Sequence, residues 1–99
     1  MPRYISLINF TEQGIKTIRD WDKRVAQGRK NTEALGGKLI DAYLTLGDVD
    51  AVVIQEYPDD ETVLKGAIAY ALGGNGRSRT LRAYTESEAM SAIRGLPSS

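Results

Sequence analysis

The chain has no cysteine and no histidine. Without cysteine there are no disulfides, thiolate metal sites, thiol nucleophiles or cysteine-held iron–sulfur clusters. Without histidine the usual general base near neutral pH is missing, and so is the commonest metal and haem ligand. Any chemistry rests on Asp, Glu, Tyr, Lys, Arg, Ser, Thr or Trp. That set offers essentially only oxygen ligands, which argues against a haem or transition-metal enzyme. No cofactor and no metal site is expected. An excess of charge is also lacking, since thirteen Lys and Arg balance thirteen Asp and Glu. A chain of zero formal charge has neither a basic footprint for nucleic acid nor a polybasic membrane anchor. No apolar run approaches the roughly 18 residues of a membrane span. The opening "MPRYISLINF" lacks the layout of a signal peptide. A soluble, cytoplasmic protein is expected, with no nucleic-acid or membrane partner.

What remains is ordinary globular material: 99 residues, 41% hydrophobic and 26% charged, enough for one domain over 1–99. A domain of this size buries only somewhat more than roughly 60% of its unfolded surface, so a partner subunit would help it.

Periodicity gives the elements. "YISLINF" (4–10) is β-branched, aromatic and apolar, and reads as a strand. Thr11 is an N-cap candidate. Ile15, Ile18, Trp21, Val25 and Leu35 recur near helical spacing, so 12–35 is expected as a short helix running into a longer one, restarted by Asp20 or Asp22 and stopped by Gly36-Gly37. "KLIDAYLTL" (38–46) and "VDAVVIQEY" (49–57) are strands around Gly47-Asp48. "PDDE" opens a helix from about 60 to 72, whose Val63, Ala67 and Ala71, with Leu64, Ile68 and Leu72, are expected to form one apolar stripe for the core. "GGNG" ends it. "RSRTLRAY" (77–84) is a last strand, and Thr85, Glu86 and Glu88 open a short terminal helix. The order β-α-β-β-α-β is the ferredoxin-like pattern, an α+β fold with both helices on one face of a four-stranded antiparallel sheet.

A two-residue turn with positive φ at Gly47 pairs Leu46 with Val49 and Thr45 with Asp50. Alternation then places Ile40, Ala42, Leu44, Leu46, Val49, Ala51 and Val53 under the helices. Leu39, Asp41, Tyr43, Thr45, Asp50, Val52 and Ile54 fall on the other face. In the last strand Leu81 and Ala83 suit the helix side, leaving Thr80, Arg82 and Tyr84 on the mixed face. That face is too apolar for free water. It is expected to pack on a second copy as an isologous homodimer contact, with a higher oligomer also open.

Several residues carry candidate chemistry. Asp48 falls at the turn tip, where a local conformational role is the plain reading. Asp50 points from a sheet face and needs a partner. That partner is structural, either an ion pair, with Arg82 one candidate, or a backbone hydrogen bond; otherwise the carboxylate has a ligand-binding or catalytic role. Tyr43, Arg82 and Tyr84 can polarise a carbonyl or bind a carboxylate, or simply pack at an interface. Trp21 walls a ligand cavity or fills core. Lys23 and Arg24 are most simply solvated helix face. "GGNGRSR" resembles a phosphate loop but follows its helix instead of preceding one, so it reads as a cap and turn.

The runs "YISLINFTEQGIK", "GGK", "YLTLGDVDAVVI" and "TLRAYTESE" resemble the GYD domain family from about Tyr4 to Ile93. The family's naming motif is usually Gly, one residue, Tyr, Asp. Here it reads Gly47-Asp48-Val49-Asp50, with Val49 in place of the aromatic. The resemblance implies a dimeric α/β-barrel arrangement of two ferredoxin-like sheets and leaves activity open. Two functions follow: a homodimeric small-molecule binding or assembly module, or a cofactor-independent oxygenase or isomerase acting on a small organic substrate.

Overall fold

The computed structural model describes residues 1–98. Strand β1 (Arg3–Phe10) leads into α1 (Glu12–Lys16), a 3₁₀ turn (Ile18–Asp20) and α2 (Trp21–Ala34). Then come β2 (Lys38–Leu44), β3 (Ala51–Glu56), α3 (Asp60–Gly73), β4 (Gly76–Ala83) and α4 (Glu86–Arg94). The sheet is antiparallel in the order β2-β3-β1-β4. This is the expected ferredoxin-like α+β architecture.

Local chemistry sets the boundaries. The Thr11 hydroxyl accepts from the Gly14 amide and caps α1. The Asp59 carboxylate does the same for α3 through Thr62, and Thr85 and Glu88 form a full capping box on α4. Asp20 sits at the N-cap position of α2, but its side chain makes no cap bond. Gly36 and Gly74, both at positive φ, end α2 and α3. The "GGNG" loop is a cap and turn: its carbonyls accept from the Thr11 hydroxyl and the Gln13 amide.

The hairpin keeps the expected register, with Leu44 opposite Ala51 and the Thr45 amide donating to Asp50 O. Gly47 takes the positive φ the turn requires. The strands are shorter than expected, and Leu46 and Val49 do not lie under the helices; Leu46 is 101% exposed. At the other end a bulge between Leu39 and Asp41 inserts Ile40 as an extra residue. It reverses alternation, so Leu39 turns under the helices and is 4% exposed, opposite to expectation.

In β4 the expected faces are inverted. Gly76 lies opposite Phe10 and beneath the Tyr70 hydroxyl, where any side chain would collide. That contact fixes the parity. Ser78, Thr80 and Arg82 face the helices, and Arg77, Arg79, Leu81 and Ala83 face away. The bare face therefore carries two rows across the sheet, Asp41–Ile54–Ile5–Leu81 and Tyr43–Val52–Leu7–Arg79. The stripe on α3 is also narrower than expected. Val63, Gly66, Ala67 and Tyr70 face the sheet, while Leu64, Ile68 and Leu72 face out, Leu72 at 83% exposure.

α2 packs on β2 and α3 on β4, the two edge strands. α4 is held to this body only loosely, with Glu88 reaching Arg82 of β4 at 4.0 Å. The longest axis is 54 Å and the radius of gyration 15.2 Å, against about 13 Å for a compact chain of this length.

The Asp59 cap has a pH signature. Its bonds to Thr62 hold the carboxyl below the ordinary 3.8. Its stabilisation is present above that value and is lost as pH falls through the lowered one. Asp59→Ala is expected to lower Tm at neutral pH, with the gap to wild type closing below about pH 4, as read by thermal melts across pH.

Candidate functional site

The helices rest on the edge strands and leave part of the middle of the sheet open between them, although Tyr4, Ile8 and Ala51 on the two central strands are buried. A partly open cavity of about 290 Å³ lies there. Its floor is Ser6 and Ile8 of β1, Val53 and Gln55 of β3, and Ser78 and Thr80 of β4. Its walls are Phe10, Trp21, Arg24 and Val25 on one side and Val63, Gly66, Ala67 and Tyr70 on the other. Gly28, Gly66 and Ala67 are small where the two helices face the space, which keeps it open.

The floor is more polar than a core requires. Gln55 is tied down, its amide donating to Thr32 Oγ1 at 2.8 Å, and Thr32 in turn donates to Gly28 O. Arg24 reaches in beside the aromatic rings. Its guanidinium lies 5.2 Å from the Phe10 centroid and 5.9 Å from Trp21, and those two rings meet edge to face at 5.9 Å. Arg24 Nη2 donates to Gly14 O at 2.9 Å. Burial raises the Tyr70 phenol, with Arg24 pulling in the opposite direction. The lining contains no carboxylate and no lysine. Among the described residues no group of three metal-ligating side chains occurs, and no helix is long and apolar enough to cross a membrane.

The five candidates from sequence do not converge. Trp21 lines the cavity. Arg82 lines a separate shallow recess with Tyr4, Asp60 and Thr80. There it stacks on Tyr84 at 4.3 Å and Tyr4 at 5.6 Å, donates to the carbonyls of Arg3 and Ala83, and meets Glu88 at 4.0 Å. Tyr4 donates to Asp60 Oδ1 at 2.6 Å, and this bond pushes its phenol up. Tyr84 is exposed. Tyr43 is exposed on the bare sheet face, where the neighbouring Asp41 carboxylate raises its pKa.

Asp50 is partnered by the backbone. Its Oδ2 accepts from the Phe10 amide at 2.8 Å, and its own amide donates to Ile8 O at 2.9 Å. Arg82 lies opposite Tyr4, six residues back along β1, so it is roughly 20 Å away at about 3.3 Å per residue. Arg82 is therefore not the partner of Asp50.

Sequence reasoning missed Arg24, Ser6, Gln55 and Thr80. Ser6 interrupts the alternation of Tyr4, Ile8 and Phe10 with a hydroxyl on a core-facing position, and Gln55 does the same in "AVVIQEY". Those two were the available clues.

The fold and cavity define a small α+β domain with ligand-sized space beneath its helices. The GYD domain family model matches residues 4–93, and the chain belongs to that family. No curated protein was found to match it. In this chain the motif residues Gly47 and Asp50 are, respectively, the turn and the fastening of the hairpin to β1.

Asp50→Ala is expected to cost about 1–2 kcal/mol by leaving the Phe10 amide without its acceptor. Asp50→Asn, which keeps an oxygen there, should lose distinctly less in urea denaturation.

Proposed function

We propose that this chain is a homodimeric small-molecule binding module, with the ligand held in the cavity between helices and sheet. The cavity carries this reading. It sits at the lower end of the roughly 300–1,000 Å³ typical of small-molecule sites, and it joins apolar walls to a few fixed polar groups. The alternative, a cofactor-independent oxygenase or isomerase, needs a base at the ligand. The titratable groups of the lining are Arg24, Tyr57 and Tyr70. A phenol raised by burial, as Tyr70 is, is a poor base near neutral pH, so binding is the better-supported reading.

The bare sheet face supports the dimer. Ile5, Leu7, Val52, Ile54 and Leu81 form its apolar centre, with Arg77 and Arg79 on the β4 side and Asp41 on the β2 side. A two-fold axis along the strands sets β2 of one copy over β4 of the other, which brings Asp41 of one copy to the side of Arg77 and Arg79 of the other. Four strands about 4.8 Å apart and about seven residues long present roughly 450 Å² of flat sheet, less than the roughly 800 Å² per partner of a standard interface. The loosely held α4 is the natural remainder. A nine-residue helix is marginal alone in water, and Ile93 stands exposed on it.

Two experiments test this. Wild type should sediment as a dimer at micromolar concentration and Leu81→Asp as a folded monomer; a monomeric wild type refutes the assembly. Trp21, the single tryptophan, lines the cavity, so a neutral aromatic such as benzamide should change its fluorescence saturably. Ala67→Phe, which fills the space, should abolish the change while leaving the circular dichroism spectrum intact.

A further inference from the structure

Arg24 brings a permanent positive charge into the cavity wall, because a guanidinium does not lose its proton in a protein. Its Nε and Nη1 are shielded from solvent and have no hydrogen-bond partner. Among the described residues no carboxylate lies within the 4.0 Å of an ion pair. One carbonyl, that of Gly14, and the faces of Phe10 and Trp21 are its whole compensation. Buried charge is normally paired, because removing it from water is costly. The rings hold the guanidinium beside the cavity. Nε and Nη1 are closed to a water-sized group in this arrangement, so a ligand oxygen reaches them by a small turn of the side chain, and planar donors of this kind match carboxylate oxygens.

We propose that the cavity takes a small carboxylate with an apolar body, its carboxylate held by Arg24. This rests on the reading of the cavity as the binding site. The charge balance selects the class. Arg24 is the one cationic side chain of the lining, so a monoanion is neutralised, whereas a phosphate dianion leaves a negative charge in mostly apolar surroundings. Ile8, Val25, Val53 and Val63 enclose the apolar body, and the volume of about 290 Å³ limits it to a compact one. The hydroxyls of Ser6 and Thr80 on the floor suit a second polar group on such a ligand.

The test uses the full chain and matched probes: benzoate and hexanoate, their neutral amides, and inorganic phosphate. Binding is read by Trp21 fluorescence and by calorimetry. Wild type is expected to bind the carboxylates about tenfold or more tighter than the amides and phosphate not measurably. Arg24→Met should erase that preference while still binding the amides, and Arg24→Lys should restore part of it. Equal affinity for carboxylate and amide in wild type, or an unchanged preference in Arg24→Met, overturns the proposal and leaves the cavity reading standing. Tighter binding of phosphate than of carboxylate overturns the ligand class. Failure of every probe overturns both. Should Arg24→Met not fold, the Arg24 Nε–H resonance of wild type decides: a shift with the carboxylates and none with the amides supports the anchor, and the same response to both refutes it.

Discussion

The two crossover helices rest on the outer strands of a four-stranded sheet, and most of what is distinctive in the molecule depends on that placement. Helices seated over β2 and β4 leave a gap above β1 and β3, where Ser6, Val53 and Gln55 border the cavity. A longer stripe of bulky residues on α3 would close the gap. Instead Gly66 and Ala67 face inward, while Leu64, Ile68 and Leu72 face out. The polar residues Ser6, Gln55 and Thr80 are tolerable on the covered side of the sheet because Gln55 donates to Thr32 of α2 and the hydroxyls of Ser6 and Thr80 share a hydrogen bond beside the open space. The cavity is thus not a packing defect at one residue. It is set by small residues on two helices and polar ones on three strands.

How far the fold was legible depends on the range of the contacts that decide it. The hairpin register around Gly47 is local, and alternation from a two-residue turn gave Tyr43, Val52 and Ile54 their correct face. The order of elements was legible for the same reason, since caps such as Thr11 and Thr85 act within one helical turn. Where a contact between distant elements decides, local patterning fails. The parity of β4 is set by Gly76 fitting beneath Tyr70, and nothing within "RSRTLRAY" encodes it. The bulge at Ile40 likewise turns Leu39 over without a mark in the alternation.

The candidate site shows the same division. Trp21 was legible as a possible cavity wall because it lies on the apolar stripe of its helix. Arg24, three residues on, reads as surface because arginines in amphipathic helices usually are. Its inward position comes from Phe10 of β1 and the carbonyl of Gly14, groups that sequence periodicity does not bring beside it. Asp50 was rightly marked as needing a partner. That partner is a backbone amide, as the backbone-bonding reading of Asp50 expected, but which amide it is depends on a contact between distant strands that no local pattern encodes.

The strand order has a further consequence, for how the chain comes to be folded. β1 is a central strand, yet it is the first one synthesised. Arg3 meets Glu56, 53 residues later, and Ser6 meets Thr80, 74 residues later. While α2 and the hairpin emerge, β1 has apolar residues on both faces and neither neighbour to pair with. Non-local pairing of this kind raises contact order and slows folding, and unpaired apolar strands are the species that aggregate. The β2–β3 hairpin is the one pair of strands that can assemble locally. The sheet is then completed by closing around its oldest strand, with β4 as the last piece, so a chain interrupted before residue 76 leaves that strand with an open edge.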